Sequence, residues 1–114
     1  MEKQVNSVWK LVNDLSNKKG ITEIVINDPT KVFVEREGQF IQLNVNLNKK
    51  DIKDFVGEVA DFNKRKCNAS HPILDGNLPD GSRINVILEP FSQGSPAITI
   101  RRYLKHINSF DKDP

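Results

Sequence analysis

The hydrophobic period of this chain changes from helical to extended twice, and that alternation constrains its fold more than any single motif. Val5, Val8, Trp9, Val12 and Leu15 recur at helical spacing with lysines and asparagines between them, which predicts an amphipathic helix. Asn17-Lys18-Lys19-Gly20 should end it, the cations suiting a helix C-terminus and Gly20 a left-handed cap. From Ile21 the period becomes two. Ile24-Val25-Ile26, Val32-Phe33-Val34 and Phe40-Ile41-Gln42-Leu43, separated by Asn27-Asp28-Pro29 and Glu37-Gly38, read as three short strands of an antiparallel meander.

The pattern then repeats in kind. Asn48 or Asp51 can cap a second helix in which Ile52, Phe55, Val56, Val59 and Phe62 share one face, ending near the solvated run Lys64-Arg65-Lys66. A second meander follows through Ile73 to Gly76, Arg83 to Leu88, a loop over 89–96, and Ala97 to Arg101. Two helix-plus-three-strand halves, unlike in sequence, predict an α+β domain with helices packed on one antiparallel, PAS-like sheet. Trp9, Phe55 and Phe62 are expected in the core and Phe91 in the loop at the surface.

Composition narrows the function. At 114 residues, 28% of them charged and 37% hydrophobic, the chain suits one globular domain. Seventeen Lys and Arg against fifteen Asp and Glu give +2, too near balance for wholesale nucleic-acid binding. No apolar run approaches the roughly 20 residues of a membrane span, and Met1-Glu2-Lys3-Gln4 lacks a signal-peptide pattern. The single Cys67 forms no internal disulfide, and neither it nor His71 and His106 has neighbours spaced for a metal or a nucleophile; a half-exposed thiol is expected.

The residues that carry chemistry are arginines. Leu78-Pro79-Asp80-Gly81-Ser82-Arg83 launches a strand from a tight turn, and Thr99-Ile100-Arg101-Arg102 ends another in paired guanidiniums. Always charged and presenting five donors in a rigid fork, arginines fixed at strand edges suit an anion such as a phosphate. Side chains alternate along a strand, so Arg101 and Arg102 cannot both face one way. A plain structural reading also exists, with Arg83 paired to Asp80 or Asp75. The two Asp-Gly steps, Asp75-Gly76 and Asp80-Gly81, are read as turns rather than as a metal or acid-base pair.

These segments resemble a known family. Gly20-Ile21-Thr22-Glu23-Ile24-Val25-Ile26-Asn27, Val32-Phe33-Val34-Glu35-Arg36-Glu37-Gly38, Ser70 to Asn85, and Ala97 to Tyr103 are together similar to the N-terminal domain of CpaF/TadA-type ATPases, members of the type II/type IV secretion traffic ATPase superfamily. The family has Ala-Arg where this chain has Gly76-Asn77, so a cation at that place is lost. The resemblance implies residues 1–103 as an N-terminal domain and 104–114 as a linker toward a RecA-like motor. No G-x-x-x-x-G-K-S/T phosphate loop is present, so the chain alone is not expected to hydrolyse ATP, to hold its Mg²⁺ or to contain a catalytic residue. It further implies that Arg83, with Arg101 or Arg102, contacts the ATP phosphates at the interface with the motor of a hexameric, cytoplasmic machine. That machine would work in protein transport or pilus assembly, on inner-membrane platform proteins and without direct nucleic-acid binding. The chain by itself is expected to be a monomer or weak dimer. The competing readings are a PAS-like ligand-binding module, which needs a cavity between sheet and helices, and a protein-interaction domain, which needs an exposed apolar patch.

Overall fold

The computed structural model describes residues 6–88 and 95–102. Val5, the loop residue Phe91, Tyr103, His106 and the 104–114 linker lie outside the described residues. Within them the element order is α1 (Ser7–Ser16), β1 (Ile21–Asp28), β2 (Lys31–Arg36), β3 (Gln39–Gln42), α2 (Lys49–Phe62), β4 (Ile73–Asn77), β5 (Arg83–Ile87) and β6 (Ala97–Arg101).

Each helix starts on an asparagine that replaces the missing carbonyl acceptors of the first turn. Asn6 Oδ1 accepts from the amides of Val8 (2.8 Å) and Trp9 (3.1 Å), and Asn48 Oδ1 from those of Lys50 (2.8 Å) and Asp51 (3.2 Å). The alternative cap, Asp51, serves the other helix instead. Its Oδ2 accepts the Ser7 amide at 2.8 Å, while Asn6 Nδ2 donates to the Asp51 carbonyl at 2.9 Å, so the two helix N-termini are tied together.

All six strands form one antiparallel sheet in the order β3-β2-β1-β6-β5-β4. The first and last strands are its centre, and each meander spreads outward from that seam. The β2–β3 turn places both Glu37 (φ 54°) and Gly38 (φ 81°) in the left-handed region, the geometry whose twist suits a two-residue hairpin. At the β1–β2 turn Asp28 Oδ1 accepts the amides of Thr30 (2.8 Å) and Lys31 (3.0 Å).

Alternation decides what each sheet face does. Ile24, Ile26, Val32, Val34, Leu74, Ile84, Val86, Ile98 and Ile100 are buried on one face, against Val8, Val12 and Leu15 of α1 and Ile52, Phe55, Val56 and Val59 of α2. Trp9 packs edge-on against Phe55 with ring centroids 4.6 Å apart and donates through Nε1 to Glu58 at 2.6 Å. The opposite face carries no helix among the described residues.

Three local expectations are corrected. Phe62, the last residue of α2, is 53% exposed rather than part of the core. Gly20 has a left-handed φ of 86° but lies beyond the C-cap, Asn17, so it turns the chain into β1 rather than ending α1. Asp75-Gly76 is no turn: both residues lie inside β4, opposite Asn85 and Ile84. Gly76 is there for space. A Cβ at this position would come within 2.6 Å of the Asn63 carboxamide, which accepts the Asn77 amide and donates to the Asn77 carbonyl, each at 2.9 Å. Asn63 therefore acts as a one-residue substitute for a seventh strand on the β4 edge.

Two outcomes follow from these contacts. Gly76→Ala is expected to destabilise the domain by about 1–3 kcal/mol in urea unfolding, and a double-mutant cycle with Asn63→Ala should give a cost clearly below the sum of the single ones. The Asp51 carboxyl is held below its ordinary value chiefly by the Ser7 amide, and that of Asp28 chiefly by the Thr30 amide. Lowered carboxyls add stability above their unfolded pKa and lose it as pH falls through the folded one, a window below about pH 4. The urea midpoint should thus drop from about pH 5 to about pH 3, and less steeply in Asp51→Asn, which keeps an acceptor but cannot titrate.

Candidate anion-binding site

The antiparallel arrangement of β5 and β6 builds the site. Arg83 is the first residue of β5 and Arg101 the last of β6, so they fall opposite each other in the register Arg83↔Arg101. Directly opposed residues have Cα atoms only about 4.5–5.5 Å apart, and like charges in that relation oppose sheet formation. At this end of the two strands the opposition of like charges is partly offset by Asp75, which lies beside Arg83.

Both arginines stand on the open face, where Asp75, Arg83, Asn85, Thr99 and Arg101 line a surface cleft of about 320 Å³. Arg83 Nη2 lies 3.5 Å from Asp75 Oδ1, with both side chains more than half exposed (65% and 61%), so the contact is weak and easily exchanged. Arg101 has no ion pair among the described residues. Glu23 lies opposite Arg101 on β1, and Glu35 opposite Glu23 on β2. Glu23 and Glu35 thus stand on the β1–β2 side of Arg101, and Asp75 on its β4 side.

Arg102 goes the other way. Its guanidinium donates through Nη1 to the carbonyls of Leu15 (2.9 Å) and Ile21 (3.3 Å), and through Nη2 to that of Ser16 (3.0 Å). Leu15 and Ser16 are the last residues of α1, and the Leu15 carbonyl also accepts the Lys18 amide at 3.0 Å, so the cation expected at this helix end from Lys18 and Lys19 is supplied from the far end of the chain. Burial lowers the Arg102 pKa while Asp80 opposes that shift, and an arginine so placed stays charged. Nε of Arg102 is buried without a hydrogen-bond partner. Of the three arginines singled out from sequence, the structure brings Arg83 and Arg101 into one cleft and turns Arg102 onto α1.

The β4–β5 connection sets Arg83 in place. The Leu78 carbonyl accepts the Gly81 amide at 2.9 Å, Asp80 Oδ1 accepts the Ser82 amide at 2.8 Å, and Gly81 adopts φ 94°. Asp80 is thus the turn residue that composition suggested, whereas Asp75 is a strand residue of the cleft. Asn85 and Thr99 were not singled out as ligands from the sequence; their opposition in the β5–β6 register was the signal available once Arg83 and Arg101 were aligned.

Other candidates recede. Burial raises the Cys67 pKa, which leaves a half-buried thiol that is a poor nucleophile. Among the described residues no three His, Cys, Asp or Glu side chains group as a metal site, and no helix is long and apolar enough to cross a membrane. Clefts of about 320 Å³ and about 660 Å³ open on the open sheet face and beside the β1–β2 turn, and one of about 120 Å³ lies between α1 and the β4–β5 connection, lined by Trp9, Val12, Leu78 and Asp80. Phe40 (58%) and Ile41 (45%) lie exposed on edge strand β3.

No family model matches the sequence. The chain is 28% identical to the VirB11 protein of Agrobacterium fabrum over 76% of its own length and 26% of that protein's. It is 32% identical to the type IV secretion system protein VirB11 of Brucella suis, over 72% of its own length and 23% of that protein's. Its fold superposes on the crystal structure of the VirB11 ATPase from the Brucella suis type IV secretion system, a complex with sulphate. That match has a TM-score of 0.78 at 24% identity and covers 91% of this chain and 32% of the other. The chain spans about a quarter of the length of these VirB11 relatives. The structural likeness establishes the α+β fold, and the sequence similarity supports the N-terminal domain of a traffic ATPase.

The division of labour among the arginines is open to measurement. Arg102→Gln is expected to cost about 1–3 kcal/mol of unfolding free energy, because it strips charged donors from the end of α1. Arg83→Ala and Arg101→Ala should stay within about 0.5 kcal/mol of the parent in the same urea titration.

Proposed function

We propose that this chain is the N-terminal domain of a secretion ATPase, in which Arg83 and Arg101 reach the phosphates of ATP held mainly by a RecA-like motor domain. The observation that carries this reading is the cross-strand Arg83↔Arg101 pair over a cleft on the uncovered sheet face. The segments that resemble the N-terminal domain of the CpaF/TadA type, and the similarity to VirB11 proteins, support it.

In this reading the domain completes a site rather than founding one. Charge that spreads over the oxygens of the transferred phosphoryl is met by two guanidiniums held on a rigid sheet, which need no rearrangement as the reaction proceeds. Mg²⁺, the phosphate-loop lysine and the attacking water belong to the motor. Arg102 positions: by fastening the end of β6 to α1 it holds Arg101 at the rim of the cleft. Loss of the γ-phosphate would release the arginines and so couple hydrolysis to movement between the domains. The wider assembly is a hexamer on the cytoplasmic side of the inner membrane, acting on platform proteins in protein transport or pilus assembly, with residues 104–114 as the link to the motor.

In the full-length ATPase, Arg83→Ala is expected to lower the turnover of ATP on the order of 10³-fold if the side chain acts as an arginine finger, with Arg101→Ala lowering it in the same direction. Steady-state phosphate release measures both. Normal turnover in the two variants would remove the assignment.

A further inference from the structure

The cleft holds more than its two arginines. Asn85 and Thr99 face each other across β5 and β6, one step inward from Arg83 and Arg101, and both line the cleft floor. They alternate with the buried Ile84, Val86, Ile98 and Ile100, so they belong to the open face and are only half-buried there. Neither the Asn85 carboxamide nor the Thr99 hydroxyl takes part in any hydrogen bond among the described residues. A carboxamide and a hydroxyl beside two guanidiniums put three kinds of donor, from four side chains, along one cleft. Asp75 joins the same row, opposite Asn85, and is the one carboxylate that touches Arg83.

We infer that Asn85 and Thr99, together with Arg83 and Arg101, form a four-donor seat for a phosphate-bearing ligand, and that Asp75 is the counter-ion this ligand displaces from Arg83. The proposal rests on the assignment of the cleft to phosphate and adds the residues that set its affinity. Arg101 is open to the ligand at once, whereas Arg83 must first leave a weak ion pair. A carboxylate left a few ångströms from the bound anion repels it, so Asp75 lowers affinity and speeds release.

Inorganic pyrophosphate titrated into the 114-residue chain at low salt, followed by amide and arginine side-chain NMR shifts, tests this. Saturable shifts are expected at Arg83, Asn85, Thr99 and Arg101. Asp75→Asn should bind pyrophosphate about threefold to tenfold more tightly, since it removes a like charge and keeps the shape. Thr99→Val should bind about threefold to tenfold more weakly, the effect of one lost hydrogen bond. Unchanged or weaker binding in Asp75→Asn, unchanged binding in Thr99→Val, or no saturable shift in the cleft would overturn the seat. Should the seat behave as stated while Arg83→Ala leaves ATP turnover of the full-length enzyme intact, the ATPase assignment falls and the seat stands. The converse pattern, a crippled Arg83→Ala enzyme with indifferent Thr99→Val and Asp75→Asn domains, removes the seat alone.

Discussion

The pairing of β1 with β6 is the contact on which the rest of this structure depends. It runs from Glu23 opposite Arg101 to Ile26 opposite Ile98 and joins two three-stranded meanders that would otherwise be separate. The six strands together present one face broad enough for two helices. Because β1 and β6 are central, Ile24, Ile26, Ile98 and Ile100 lie at the middle of the core and are fully buried. Arg101 stands at the end of this seam, where β6 also pairs with β5 across the cleft.

Arg102 secures that seam chemically. Its backbone amide donates to the Thr22 carbonyl at 2.9 Å, extending the β1–β6 ladder, and its guanidinium closes the C-terminus of α1. One residue therefore joins the last strand to the first strand and to the first helix. Arg101, a single position earlier, points through the other face because successive strand side chains alternate. The two consecutive arginines therefore stand in different surroundings: the Arg102 guanidinium donates to fixed carbonyls at the end of α1, while Arg101 has no ion pair among the described residues.

The two sheet edges also differ for physical reasons. At β4, Asn63 occupies the backbone groups of Asn77 and excludes any side chain from Gly76. At β3, every residue of the strand is exposed, with Phe40 and Ile41 uncovered. On the open face the acidic residues Glu23 and Glu35 stand on β1 and β2, and the arginines Arg83 and Arg101 on β5 and β6, with Asp75 on β4 beside Arg83.

By itself the sequence determined the elements, their order and their antiparallel class, since these depend on local periodicity and on turn chemistry. Asn48, Glu37-Gly38 and Asp80-Gly81 could be read as a cap and as turns because each acts through backbone within three residues of itself. The arginines could be singled out as anion ligands because their charge and fork geometry are properties of the residue. What the sequence left open needed distance across the chain. That Phe62 is exposed, that Asp75-Gly76 runs inside a strand under Asn63, and that Asp51 caps the other helix all depend on contacts between remote segments. Only the tertiary structure decided between Arg101 and Arg102, because their roles follow from which sheet face meets α1. It alone set Asn85, Thr99 and Asp75 beside Arg83, because cross-strand register is fixed by the packing of the whole sheet and not by any run of neighbouring residues.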